Sequence, residues 1–297
     1  MVIFLGANDL KQDYSGIYRN TVPTNYYSGI LANLEKIHKF VRFRHEKLPI
    51  VLCTIPDVGA TPVVRRKYDD PAKAAGARAR IAALNQSIVE FAEKKALTTV
   101  ARVDLVTNRL FDEVPIHLNG TILKRRGDPE NSPNRLFCRD NFHPSTSSQA
   151  FIANEISLAL ETALGVSIPQ FEEREILRDL LDLDPNQPYL DWVEKETPNP
   201  PGMKDDGDND DLPNLVEMAL ATSPKQVSDP YSGTWEPNST ISWNPNEVAA
   251  RYVRLIPQES ADLIRWRNVP MERVSETSAT MGAASNKIHF RLKALPR

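Results

Sequence analysis

Cysteine is nearly absent. The chain of 297 residues has two, Cys53 and Cys138. One pair cannot build a disulfide framework and says little about compartment. Long apolar runs are missing too, so no segment reads as a membrane-spanning helix. Charge of one sign is lacking: 36 Lys and Arg face 39 Asp and Glu, a net of −3. That balance points to neither nucleic acid nor a membrane surface. No basic leader and no cleavage site follow Met1; Val2-Ile3-Phe4-Leu5 comes at once and reads as a buried strand. What is present is ordinary for a soluble globular protein, 41% hydrophobic and 25% charged. The length admits one large domain or two smaller ones.

The apolar pattern divides the chain in three. Val2 to Leu5 suits a parallel strand buried on both faces. Tyr27, Ile30, Leu31, Leu34, Ile37 and Val41 recur at helical spacing, with Lys36, Lys39 and Arg42 on the other face. Ile50 to Ile55 is a second strand, stopped by Pro56, and Thr99 to Val103 a third. Between them Ile81, Leu84, Ile88 and Ala92 mark a helix. A last helix is predicted after a Ser145 or Thr146 cap, with Ile152, Ile156, Ala159, Leu160 and Ala163 inward and Gly165 as its stop. Strands alternating with helices predict an α/β layer fold around a parallel sheet over residues 1–168. Residues 169–224 form short helical pieces and a Pro-rich linker, Thr197 to Gly202. Residues 225–297 alternate in short segments that suit a small β domain.

Two motifs frame the first part. Gly6-Ala7-Asn8-Asp9 follows the first strand, at the sheet end where α/β folds bind ligands. Gly6 permits close backbone approach, and the Asn8 amide can donate to a developing oxyanion. A plain turn uses the same residue types. Asp140-Asn141-Phe142-His143-Pro144 precedes the last helix. A spacing of three lets Asp140 meet one nitrogen of His143 and leave the other as a general base. A helix flank with a capping acid and a surface histidine would look alike.

In this order and spacing the two motifs resemble blocks III and V of the SGNH/GDSL serine hydrolases. Leu52-Cys53-Thr54-Ile55-Pro56 and Ala83-Leu84-Asn85-Gln86-Ser87-Ile88 resemble that family's fourth strand and the helix before its fifth. The resemblance covers roughly Met1 to Leu164. It implies a three-layer α/β/α, flavodoxin-like sheet, incomplete here, and Ser-His-Asp ester hydrolysis. His143 would be the base, Asp140 its orienter and Asn8 an oxyanion donor, with Gly6 and Asp9 beside the substrate. The family's Gly-Asp-Ser block and a further oxyanion glycine belong upstream of block III. Ser15, Ser28 and Ser145 stand in the wrong topological places to replace that serine. The chain by itself is therefore expected to lack esterase turnover and to associate through an exposed N-terminal edge. The complete protein is expected to be secreted or periplasmic.

A third motif runs from Asp206 to Glu217. Counting Asp206 as one, oxygen ligands fall at Asp206, Asp208, Asp210, Asn214 and Glu217, and Leu212 at seven offers its carbonyl. This is EF-hand spacing and predicts Ca2+. Asp211 stands at six, where such loops have Gly. A solvated acidic linker is the plainer alternative. The segment resembles thrombospondin type 3 or dockerin-like calcium loops. The residues after it loosely resemble the terminal β module of secreted bacterial proteins. There Trp235, Trp243 and Trp266 read as core, or as a sugar-binding platform. His38, His45 and His117 are expected at the surface or in loops, and Cys138 as a small buried side chain. Lys124-Arg125-Arg126 reads as a solvated patch able to touch an acidic substrate. The combined expectation is an esterase acting on a small-molecule or polysaccharide ester, carbohydrate or lipid, with no nucleic-acid partner and no membrane span. A non-catalytic binding or scaffold protein on a degenerate hydrolase frame is the alternative.

Overall fold

A strand that is apolar at every position needs cover on both faces, and Ile50-Val51-Leu52-Cys53 has it: all four residues of β2 (Ile50–Cys53) are buried in this computed structural model. Side chains alternate across a strand. Ile50 and Leu52 accordingly enter one core with Leu34, Val41, Ile81 and Ile88, while Val51 and Cys53 enter another with Ala101, Val103 and Ala159. On either side lie β1 (Val2–Ile3) and β3 (Thr98–Ala101), both parallel to β2, with Ile3 opposite Leu52 and Leu52 opposite Val100. The structure describes residues 1–112, 114–128, 130, 132–196, 201–233, 238–282 and 289–297. It divides into two units, Met1–Ile116 with Ile122–Asp182, and His117–Thr121 with Leu183–Arg297.

Parallel neighbours need crossovers, and helices supply them. In the first unit α1 (Ala7–Gln12), α2 (Tyr14–Arg19) and α3 (Tyr26–Arg44) lie between β1 and β2. Between β2 and β3 come α4 (Pro62–Lys67) and α5 (Pro71–Glu93). Asp70 caps α5 by accepting from the N–H groups of Ala72 and Lys73, and Pro71 opens it without wasting a donor. All four residues predicted to face inward on α5 are buried. Among them sits Asn85, whose side chain accepts from Ile55 N–H at 2.7 Å and donates to Ile55 C=O at 2.8 Å. It thereby satisfies the backbone just past β2, as a neighbouring strand would. After β3 come α6 (Val103–Asn108) and α7 (Thr146–Leu164), and α7 covers the second face, with Thr99 Oγ1 donating to Ala159 C=O at 3.0 Å. The unit is a parallel three-stranded sheet between helices, an α/β fold as expected from the alternation.

Several local expectations fail for physical reasons. Only Val2 and Ile3 of the first apolar run are strand; Phe4 and Leu5 are 41% and 49% exposed. Among the described residues β1 pairs with β2 alone, so its other edge is uncovered. His38 is buried rather than superficial: it lies on α3, Nε2 3.0 Å from Thr98 Oγ1 and its ring edge-on to Phe91. Burial, helped by the Arg42 and Lys95 charges, lowers its pKa. Ser145 does not cap α7 through its hydroxyl; it donates instead to the Arg135 carbonyl. Cys138 is half-buried, with Sγ 3.4 Å from the Pro144 carbonyl.

In the second unit helix Asn214–Leu220 is buried at every residue. Leu212, Val216 and Leu220 meet Ile241, Trp243, Phe290 and Leu292; Leu215, Met218 and Ala219 meet Tyr189, Val193 and Tyr252. Around it are two antiparallel three-stranded sheets, one of Tyr231–Ser232, Thr240–Trp243 and Ser278–Thr280, the other of Val253–Ser260, Arg267–Asn268 and His289–Pro296. Trp243 is core, whereas Trp266 is half-buried beneath the Arg291 guanidinium. Trp235, Ile288 and residues 197–200 of the Pro-rich stretch lie outside the described residues. The division also differs from the three parts read in the sequence. Residues 169–182 group with the first unit, and from Leu183 the chain groups with the β segments.

Candidate active site and cation loop

The first motif turns sharply out of β1. Gly6 has φ +104°, and a Cβ there would lie 2.4 Å from Ile55 Cδ1. Only glycine fits, since the conformation and the space both exclude a side chain. The turn starts α1 at Ala7 and puts Asn8 and Asp9 in its exposed first turn. Asn8 Nδ2 and Oδ1 have no hydrogen-bond partner among the described residues, so the amide is free to donate. The Asp9 carbonyl accepts from the Tyr26 hydroxyl at 2.9 Å, which fixes the helix start against α3.

The second motif is a turn closed on its own carboxylate. Asp140 Oδ1 accepts from the N–H groups of Phe142 and His143, both at 3.0 Å, and Asp140 Oδ2 takes a very short hydrogen bond from His143 Nδ1. Partial burial opposes ionisation, but these bonds outweigh it and hold the Asp140 carboxyl down to about 2. The carboxylate thus fixes both the backbone and the imidazole tautomer, leaving Nε2 without a partner among the described residues. His143 and Asp140 side chains are 64% and 48% exposed. The turn is anchored from behind by Ser147 and Ser148, whose hydroxyls donate to the carbonyls of Arg135 and Leu136. Asn141 at φ +60° makes the bend, a left-handed position that asparagine tolerates.

The two motifs are neighbours. Lys11 of α1 places Nζ 4.1 Å from the centre of the Phe142 ring, and Phe142 packs on the core that also holds Leu10. The helix that carries Asn8 and the turn that carries Asp140 and His143 are thus joined through Lys11 and Phe142. The serines near His143 are committed elsewhere: Ser145, Ser147 and Ser148 all donate to carbonyls.

The acidic loop has a different character. Ligand oxygens of Asp206, Asp208 and Asp210 lie within 4.8 Å of one another. Asp206 accepts from the N–H groups of Asn209, Asp210 and Asp211; Asp210 accepts from Leu212 N–H and from Ser228. Asp211 has φ +69°, so the turn that glycine makes in EF-hand loops is kept by an aspartate. Glu217 is fully buried, and both its carboxylate oxygens lack a hydrogen-bond partner among the described residues. Asp208 Oδ2 and Asn214 Oδ1 are buried and unpartnered as well. Desolvation first, then the charges of Asp208, Asp210 and Asp206, push the Glu217 carboxyl up to about 7. Four oxygens at positions three, nine and twelve are left bare in the interior. Such groups are costly unless a cation meets them. The donor set, all hard oxygen, fits calcium.

The two sequence motifs contain the Asp140–His143 pair and the acidic cluster, but nothing in them announces the Ser147 and Ser148 bonds behind the turn. Arg65 and Arg66, discussed below, carried no motif. Asn141 had no role in the sequence analysis; an asparagine at a sharp turn beside Asp140 and His143 was the available signal. Compared with protein-family models, curated proteins and solved structures, the chain matches none. Among the described residues no helix is long and apolar enough to cross a membrane.

Proposed function

We propose that the first unit is an ester-hydrolase module of SGNH type, in which Asp140 orients His143 and His143 is the general base. The observation that carries this reading is the held imidazole: Nδ1 tied to Asp140, Nε2 free, and the unpartnered Asn8 amide on the adjoining helix. In this chemistry a serine hydroxyl attacks the ester carbonyl while Nε2 takes its proton. The Asn8 amide donates to the oxyanion. The imidazolium, stabilised by Asp140, then protonates the departing alcohol, and water repeats the sequence on the acyl-enzyme. The reading takes the serine from a Gly-Asp-Ser block outside residues 1–297. The test is to join the chain to the residues encoded immediately upstream and measure nitrophenyl-ester hydrolysis. His143→Ala should lower turnover by about 1000-fold or more. Turnover that survives this change overturns the assignment and favours a scaffold role.

A second reading, carried by the buried bare oxygens of Glu217, is that the second unit binds calcium through Asp206, Asp208, Asp210, the Leu212 carbonyl, Asn214 and Glu217. An ion there would supply the counter-charge these oxygens lack and clamp the loop to the buried helix that follows. Titration calorimetry should show one site per chain. No heat at millimolar calcium, with the protein folded by circular dichroism, would remove this reading.

A further inference from the structure

Beside the Asp140–His143 turn lies a cleft of about 360 Å³ lined by four arginines, Arg65, Arg66, Arg125 and Arg126, over Leu110 and Phe137. Arg65 and Arg66 come from α4, and Arg125 and Arg126 from the loop before the turn. Arg65 Nη1 and Arg125 Nη1 both donate to the Leu110 carbonyl, at 3.1 and 2.9 Å, and Arg125 Nη2 to the Val114 carbonyl at 2.5 Å. Those bonds aim two guanidinium groups but cancel no charge. Arg66 and Arg126 are exposed and have no hydrogen-bond partner among the described residues. The ion pairs among the described residues engage other cations, so none of the four pairs with a described carboxylate. Four like charges around one hollow repel one another until an anion enters.

The cleft is tied to the candidate dyad through Asn141. Val63 N–H, on α4, donates to the Asn141 carbonyl at 3.3 Å, and Gly127 N–H donates to Asn141 Oδ1 at 3.0 Å. Gly127 also lies so close to Cys138 that a Cβ would fall 2.0 Å from its carbonyl oxygen. Both cationic walls thus rest on a residue two positions from His143. Guanidinium forks match planar or tetrahedral oxyanions, and Phe137 and Leu110 offer an apolar floor to the C–H face of a ring. The volume suits one sugar-sized unit rather than an extended polymer.

We propose that this cleft is a specificity subsite for an anionic group, carboxylate or sulfate, on an acidic sugar unit of the ester substrate. Its place in a reaction rests on the hydrolase reading; its binding does not. The experiment measures equilibrium binding of galacturonate, glucose 6-sulfate and uncharged glucose to the full chain by calorimetry or ligand-observed NMR. At least one anionic sugar should bind at millimolar concentration and glucose about tenfold more weakly or worse, the binding weakening as salt rises. The preferred anion tells carboxylate from sulfate. Arg66→Gln and Arg126→Gln should each weaken it about five- to tenfold with unchanged melting temperature, and Arg66→Lys should retain part of it. Neither anion binding below about 50 mM, equal binding of glucose, or indifference to both glutamine variants would overturn the proposal. A short single-stranded oligonucleotide that binds and is not displaced by galacturonate would overturn it in favour of nucleic acid. His143→Ala should bind the anion like the parent chain, so hydrolysis that survives this change while binding stays intact would count against the dyad alone.

Discussion

The Asp140–His143 turn and the Asp206–Glu217 loop both gather carboxylates against backbone N–H groups, yet they leave their oxygens in different states. At Asp140 each oxygen has a donor from the turn itself, and the group stays ionised at the surface. At Glu217 both oxygens are buried with no donor, and the carboxyl holds its proton to about 7. The first arrangement is complete within its own residues and directs a neighbour's lone pair outward. The second leaves both oxygens without a donor among the described residues. Spacing alone suggested both clusters, but the state of the oxygens separates them: those of Asp140 are bonded, those of Glu217 bare.

The sharpest way to break the comparison is to remove the acid from each. With the upstream residues present, Asp140→Asn should reduce ester turnover by about 1000-fold or more, because the amide selects the wrong tautomer of His143. Asn8→Ala should cost about 100-fold, as loss of one oxyanion donor does. A rise in KM with kcat unchanged after either change would show that the side chain binds substrate and does not act on the transition state. At the loop, calcium at about 100 times its Kd should add about 2.7 kcal/mol to the stability of the second unit. Glu217→Gln should abolish that gain while raising the calcium-free melting temperature, since it removes a buried acid with bare oxygens. Thermal denaturation with calcium and with chelator reads both effects.

A pH series sharpens the contrast further. The Glu217 pKa is raised on folding, so its protonated form stabilises the calcium-free protein at low pH. That contribution is lost as pH rises through about 7. The chelated protein should therefore melt lower at pH 8 than at pH 5.5, and calcium should erase the difference, binding more tightly at the higher pH. Asp140 runs the other way. Its lowered pKa contributes stability present above the ordinary carboxylate range and lost as pH falls toward about 2. Because the pair is exposed, that contribution should be well under 1 kcal/mol. Melting temperatures of the parent and of Asp140→Asn between pH 5 and 3 should differ by no more than a few degrees. A large acid-side difference would mean that the turn holds the fold and not only the imidazole.

Much of the first unit was legible because its signals are periodic. Ile50 to Cys53 could only be a strand covered on both faces, and Ile81, Leu84, Ile88 and Ala92 could only face one core. The end of β1 was not legible, because apolar Phe4 and Leu5 do not state whether a neighbour covers them. His38 was misjudged since a lone histidine at helical spacing carries no sign of the Thr98 hydroxyl that satisfies it from sixty residues away. The Asp140–His143 contact and the closeness of Asp206, Asp208 and Asp210 were readable because each lies within a short stretch of chain. Of the arginine cleft only the Arg125-Arg126 wall was readable, as a basic patch; Arg65 and Arg66 lie sixty positions away and meet it only through the fold. Asp211 departs from the glycine of EF-hand loops at position six, yet its backbone is left-handed as a glycine's there would be.

The buried amide of Asn85 has a consequence for how the first unit breathes. By holding both the N–H and the C=O of Ile55, it fastens the strand end beside Gly6 to the middle of a 23-residue helix. The Ile55 amide cannot exchange with solvent by fraying of the sheet edge; α5 must move away from the sheet first. Its exchange rate should therefore match that of the innermost β2 amides and report the slowest opening of the unit. With alanine at position 85, Ile55 would exchange on the timescale of the surface turns, and the floor under Gly6 would open and close independently of the sheet.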